Sequence, residues 1–109
     1  MRKFEAVLLF NPDLSQPIIL KEEEQFQSNI EGSDGKIIST EDWGLRDISY
    51  SINNYKKAFY KYYQIEVDGS KIENFKKILT QNEKILRHLF IKVENHQELP
   101  TKIVKNEEN

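Results

Sequence analysis

Cysteine is absent from the 109-residue chain. That absence excludes a disulfide framework and a thiolate metal site, and it suits a reducing compartment. Long apolar runs are lacking too, since none approaches the roughly 18 residues that a membrane span needs. The opening Met1-Arg2-Lys3-Phe4 leads directly into a short apolar segment, without the longer apolar region and small-residue cleavage site of a signal peptide. Positive charge is not in surplus. Sixteen Lys and Arg stand against eighteen Asp and Glu, a net charge of −2. Free-standing nucleic-acid binders are mostly clearly basic, so any such role here needs a local patch or the help of a partner.

Signals of catalysis and cofactor binding are also thin. No GxGxxG or Walker pattern occurs, and Gly32 and Gly35 read as a lone turn pair. The two histidines, His88 and His96, have no His or Cys at metal-ligand spacing. His88 reads as a packed or surface residue and His96 as solvated. Glu22-Glu23-Glu24 read as solvated helix surface rather than a metal site, because no further ligands flank them. A Ser-His-Asp set assembles in space and leaves no linear trace, but no nucleophile elbow supports one. Acylphosphatases need an anion cradle with an Arg and glycines after the first strand. The corresponding Asn11-Pro12-Asp13-Leu14-Ser15 has neither and carries an acid. The reading is therefore of a non-enzyme with no metal, no cofactor and no small-molecule substrate.

What is present suits a single folded domain over residues 1–94, with a loose polar tail over 95–109. Hydrophobic residues make up 38% and charged ones 31%, which supports one core under a highly solvated surface. Lys3 to Phe10 reads as a buried strand halted at Asn11-Pro12. Asp13 or Ser15 caps a helix with Pro17 in its first turn and Ile19, Phe26 and Ile30 on one face. Lys36 to Ile52 reads as a long strand with a bulge or bend at Trp43-Gly44. Residues 53–57 form a hairpin tip and Ala58 to Val67 the return strand. Ser70 and Glu73 suggest a capping box for a second helix with Ile72, Phe75, Ile78 and Leu79 on its buried side. Ile85 to Val93 reads as the last strand.

The order is β-α-β-β-α-β. Right-handed crossovers turn that order into a ferredoxin-like α+β fold: a four-stranded antiparallel sheet with both helices on one face. The other face is left bare. Strand alternation puts Phe59, Tyr63, Ile65 and Val67 on the covered side, with Lys61 escaping to solvent. Tyr60, Tyr62, Gln64 and Glu66 take the open side. Val7, Leu9, Leu89 and Ile91 join them as apolar residues with no helix to cover them. Either these are scattered surface apolars, ordinary on any protein, or they form a docking patch. Their position on one face of two strands that pair in this fold favours the patch. Tyrosines at such a site offer large area with a polar tip.

The residues also resemble a known family. Trp43-Gly44-Leu45-Arg46, Ile48-Ser49-Tyr50, Ile52 and Lys57-Ala58-Phe59-Tyr60 follow its pattern of a tryptophan-glycine bend, an arginine and a hairpin into an aromatic strand. Arg2 with Phe4-Glu5, Asn11-Pro12 and Leu86-Arg87-His88-Leu89 match its opening, the end of its first strand and its last strand. Ser51 departs from it, standing where proline is usual. The chain is similar, over nearly all of residues 1–94, to the sixth protein of the bacterial small ribosomal subunit. The resemblance implies a cytoplasmic, ribosome-bound structural protein. It also implies a heterodimer with the eighteenth protein of that subunit, bound to the central domain of 16S ribosomal RNA in the platform. Arg2, Arg46, Lys56, Lys57, Arg87 and Lys92 are the candidate RNA contacts. Val7, Leu9, Tyr60, Tyr62, Leu89 and Ile91 are the candidate partner interface. Two other readings share the fold: an RNA-recognition-type module stacking bases on Tyr60 and Tyr62, and a regulatory small-molecule-binding domain.

Overall fold

The computed structural model describes residues 1–101. Four strands, β1 (Arg2–Phe10), β2 (Lys36–Ile52), β3 (Tyr55–Val67) and β4 (Ile85–Val93), form one sheet in the order β2-β3-β1-β4. Each neighbouring pair is antiparallel. Two helices, α1 (Gln16–Gly32) and α2 (Ile72–Thr80), are the crossovers. This is the expected ferredoxin-like arrangement. No helix of the described residues is long and apolar enough to cross a membrane.

The core follows from alternation along the strands and three-to-four spacing along the helices. Phe4, Ala6, Leu8 and Phe10 of β1 and Tyr63, Ile65 and Val67 of β3 meet Ile19, Phe26 and Ile30 of α1 and Ile72, Phe75 and Leu79 of α2. Both helices thus form one layer against one side of the sheet. Gly35 lies where the turn after α1 presses on β3. A Cβ there would stand 2.9 Å from the Val67 side chain and 3.0 Å from the Glu66 carbonyl oxygen.

Several local expectations change. The hairpin tip is only Asn53-Asn54, both at positive φ, the two-residue turn that matches strand twist. β3 therefore begins at Tyr55 rather than Ala58. The Ser70–Glu73 capping box does not form. The Asp68 carboxylate instead accepts from the Ser70 N–H at 3.0 Å, opening a 3₁₀ turn, Gly69–Lys71, before α2. That bond holds the Asp68 carboxyl below its ordinary range.

The acidic run on α1 does not simply face water. Glu22 accepts from Asn82 Nδ2 at 2.8 Å and lies 3.5 Å from Lys84 Nζ, tying α1 to the loop before β4. Glu23 accepts from the Tyr63 hydroxyl at 2.9 Å and lies 3.7 Å from Lys61 Nζ. Lys61, expected to reach solvent, is buried at 8% exposure with Asp42 at 2.7 Å. Its neighbours in the ladder, Leu8 and Asp42, belong to strands on both sides, so it has no edge to escape over. Burial, with the Glu23 carboxylate adding, pushes the Tyr63 phenol well above its ordinary value. Burial, with Lys76 adding, pushes the His88 imidazole down.

Candidate functional site

The helix-free face carries three rows of side chains in register. Leu9, Val7 and Glu5 of β1 stand opposite Arg87, Leu89 and Ile91 of β4 on one side, and opposite Tyr60, Tyr62 and Gln64 of β3 on the other. Sequence alternation gives each of them this side, Glu5 and Arg87 included, although the docking patch expected from the sequence left those two out and Arg87 was expected at RNA. The face is not uniformly bare, however, because the chain covers part of it with two of its own segments.

The first cover is residues 95–101, expected to begin a loose tail. They lie on the sheet as a strap. The His96 ring Nε2 is 3.2 Å from the Phe4 carbonyl oxygen and 3.1 Å from that of Ile65. Both are acceptors only, so this nitrogen carries the proton. Gln97 accepts from Gln64 Nε2 at 2.8 Å through its main-chain oxygen. Its side-chain amide donates to Tyr62 and to Glu5, each at 3.2 Å. The strap ends where Thr101 donates from its main-chain N–H to Glu41 Oε2 at 3.1 Å and from its hydroxyl to Glu41 Oε1. Residues 102–109, the rest of the expected tail, lie outside the described residues.

Trp43 completes this cover. The bulge between Asp42 and Gly44 is closed by Asp42 accepting from the Gly44 N–H at 2.8 Å, with Gly44 at φ +76°. A positive φ suits glycine because no Cβ is present to clash. The indole turns onto the open face and stacks on Tyr62, and its N–H donates to Glu41 at 2.7 Å. Tyr62 is consequently only 1% exposed, and burial raises its phenol above its ordinary value. Leu9 is 7% exposed. These two residues, expected at the docking surface, form the floor and offer a partner little area of their own. Leu89 and Ile91 are half exposed, at 50% and 48%, while Val7 and Tyr60 are half-buried.

The second cover is the arm formed by the β2–β3 hairpin. Its pairing is interrupted between Asp47 and Ile52, and Tyr60 donates to the Asp47 carbonyl at 3.3 Å. The Tyr50 hydroxyl accepts from the Arg87 guanidinium, whose carbon also sits 5.1 Å from the Tyr50 ring centre. A groove of ≈ 370 Å³ runs between arm and strap, with Val7, Leu9, Leu89 and Ile91 beneath and Ile48 and Tyr50 at its side.

The six candidate cations do not form one patch. Arg2 and Lys92 line a hollow with Met1, Asp68 and Gly69 at the end of the sheet where β1 starts and β4 stops. Lys56 and Lys57 are exposed on the arm at the opposite end, Lys57 lying 3.8 Å from Asp47. Arg46, half-buried, donates from Nε to the Trp43 carbonyl at 2.9 Å. Arg87 stands apart from both groups, on the apolar face. Among the described residues no group of His, Asp and Glu is placed to hold a metal ion.

Sequence reasoning missed Glu41, Trp43, Tyr50, Gln97 and Thr101. The bulge was visible as a Gly within a strand pattern, but it resets the alternation and hides the side that Trp43 takes. Nothing in the polar run from 95 to 101 announces a docked segment.

Comparison with known proteins places this geometry in context. A family model described as ribosomal protein S6 matches residues 3–92. The small ribosomal subunit protein bS6 of Brucella canis and that of Brucella suis are each 35% identical over 98 residues, covering 90% of this chain. The corresponding protein of Brucella anthropi is 34% identical over 98 residues. The chain spans 66% of the length of the first two and 65% of the third, just under two thirds. Among solved structures, the 30S ribosomal protein S6 of Thermotoga maritima superposes with a TM-score of 0.79 at 20% identity, over 84% of this chain and 87% of that one. At that identity the likeness speaks for the fold.

Proposed function

The chain belongs to the ribosomal protein S6 family, and from that premise we propose that it is a structural component of the small ribosomal subunit. On this reading it holds the eighteenth small-subunit protein against the open face of its sheet. The pair then binds the central domain of 16S ribosomal RNA in the platform. The family is that of a ribosome component rather than an enzyme.

The observation that carries this reading is the half-exposed Leu89 and Ile91 beside Val7 on an acidic protein. Affinity for RNA grows with the number of phosphates neutralised by cations, and a net charge of −2 supplies few. Apolar burial supplies what charge does not. Covering a half-exposed Leu or Ile contributes roughly 1 kcal/mol by area. A basic companion seated on the groove completes the cationic surface that Arg2 and Lys92 begin at one end and Arg46, Lys56 and Lys57 begin at the other. Each of these cations that touches a phosphate adds about 0.9 to the slope of log affinity against log salt.

A direct base-stacking role is disfavoured by Tyr62. Its ring face is already taken by Trp43, with centroids 5.1 Å apart. Sucrose-gradient sedimentation with purified small subunits tests the proposal. The protein should travel with subunits depleted of their own copy, and its absence from that fraction would refute the ribosomal reading.

A further inference from the structure

Six side chains of the groove floor stand in three directly opposed pairs across β1 and β4: Leu9 with Arg87, Val7 with Leu89, and Glu5 with Ile91. Val7 and Leu89 form the middle pair, and Leu9 and Ile91 stand opposite the charged residues at the two ends. The two charged ones occupy diagonally opposite corners, four residues apart in register, or about 13 Å along the strand direction. Among the described residues both have neutral partners. Glu5 accepts from the Gln97 side-chain amide at 3.2 Å, and Arg87 donates to the Tyr50 hydroxyl. Neither forms an ion pair among the described residues. The floor is therefore an apolar strip with a positive charge at one end and a negative charge at the other.

An extended peptide presents residues i, i+2 and i+4 to one side, and i to i+4 spans the same ~13 Å. We propose that the groove selects an extended segment of the protein partner whose sheet-facing residues read acidic, apolar and basic, the acid over Arg87 and the base over Glu5. Arg87 then serves the protein partner rather than RNA. A phosphate chain laid here would meet Glu5 and four apolar side chains, which offer it nothing. Opposite charges at the two ends also set direction, because a reversed segment brings like charges together.

This inference rests on the reading of the open face as the docking surface, and the test separates the two. The affinity of the eighteenth small-subunit protein is measured by calorimetry for the intact chain and for Arg87→Glu, Glu5→Lys and Ile91→Asp. Thermal melts check the folding of each, and Arg87→Leu stands in if the reversal does not fold. RNA binding by each preformed pair is measured alongside. The expected result is a loss of at least about ten-fold for each charge reversal, with reduced salt sensitivity, and near-complete loss for Ile91→Asp. Reversals that leave the affinity unchanged while Ile91→Asp abolishes it overturn the charge polarity and leave the docking face standing. An unaffected Ile91→Asp overturns the docking face itself. Arg87→Glu that spares partner affinity and weakens only RNA binding returns Arg87 to the RNA contacts and overturns the inference.

Discussion

Trp43 lies flat on Tyr62, with ring centroids 5.1 Å apart and planes 14° from parallel, and its N–H is held by the same Glu41 carboxylate that receives Thr101. One carboxylate thus fastens both the aromatic cover and the end of the strap to the sheet. With that corner covered, the half-exposed Leu89 and Ile91 of the open face lie where β4 pairs with β1.

Removing the fastening should release both covers. Glu41→Ala leaves the indole N–H and the Thr101 groups without their acceptor, at a cost of about 2 kcal/mol. Equilibrium denaturation measures the loss. Tryptophan fluorescence should shift to the red as Trp43 leaves Tyr62, and an unchanged spectrum would show that the stack stands without Glu41.

Alkaline pH should weaken the fold through its tyrosines. The Tyr62 and Tyr63 phenols are raised in the folded protein, chiefly by burial. The unfolded chain ionises them near pH 10, while the folded chain keeps them neutral. Their stabilisation is fully present below pH 10 and is lost as pH rises above it, by up to about 1.4 kcal/mol per pH unit for each tyrosine. Tyr63→Phe should flatten this decline between pH 10 and 11.5 in denaturant titrations. An equally steep decline in the variant would remove Tyr63 from the account.

The buried Lys61 contributes through its stem more than through its charge. Lys61→Met keeps the packed length, and it leaves Glu23 with the Tyr63 hydroxyl and Asp42 largely in water. Its stability should stay within about 1 kcal/mol of the parent, whereas Lys61→Ala should lose about 2–3 kcal/mol. Thermal denaturation distinguishes the two. Equal losses would mean that the ion pairs, not the packing, are what matters.

Much of this architecture was legible in the chain. β4 carries apolar residues on both sides, but it pairs with β1 without a bulge from Lys3 to Leu9, so simple alternation could assign Val7, Leu89 and Ile91 to the uncovered face before any coordinates. β2 could not be read beyond Asp42, because the bulge at Gly44 reverses which side each later residue takes. Tyr62 looked like an open-face residue and is one, yet its cover comes from Trp43 and from Gln97, distant in sequence and joined to it by no periodic pattern. The strap is held by hydrogen bonds from polar side chains to strand carbonyls and carboxylates. Such bonds leave no hydrophobic signature, and a polar run after the last strand reads the same whether docked or loose.

The bulge itself can be tested. A Cβ at Gly44 would meet no neighbouring group, but φ is +76°, so Gly44→Ala costs only the strain of its own left-handed backbone. A loss of about 1 kcal/mol is expected in chemical denaturation. A neutral result would mean that the bulge relaxes to another geometry, which a changed environment for Trp43 would reveal.

The central claim is that this protein grips ribosomal RNA only in company. Its direct measurement is the affinity of the purified chain for a central-domain fragment of 16S ribosomal RNA at moderate salt, alone and with the eighteenth small-subunit protein. The account predicts weak binding by the chain alone and tight binding by the pair, with the gain lost when Ile91→Asp replaces the intact chain. Tight binding by the chain alone, unchanged by the partner, would contradict it.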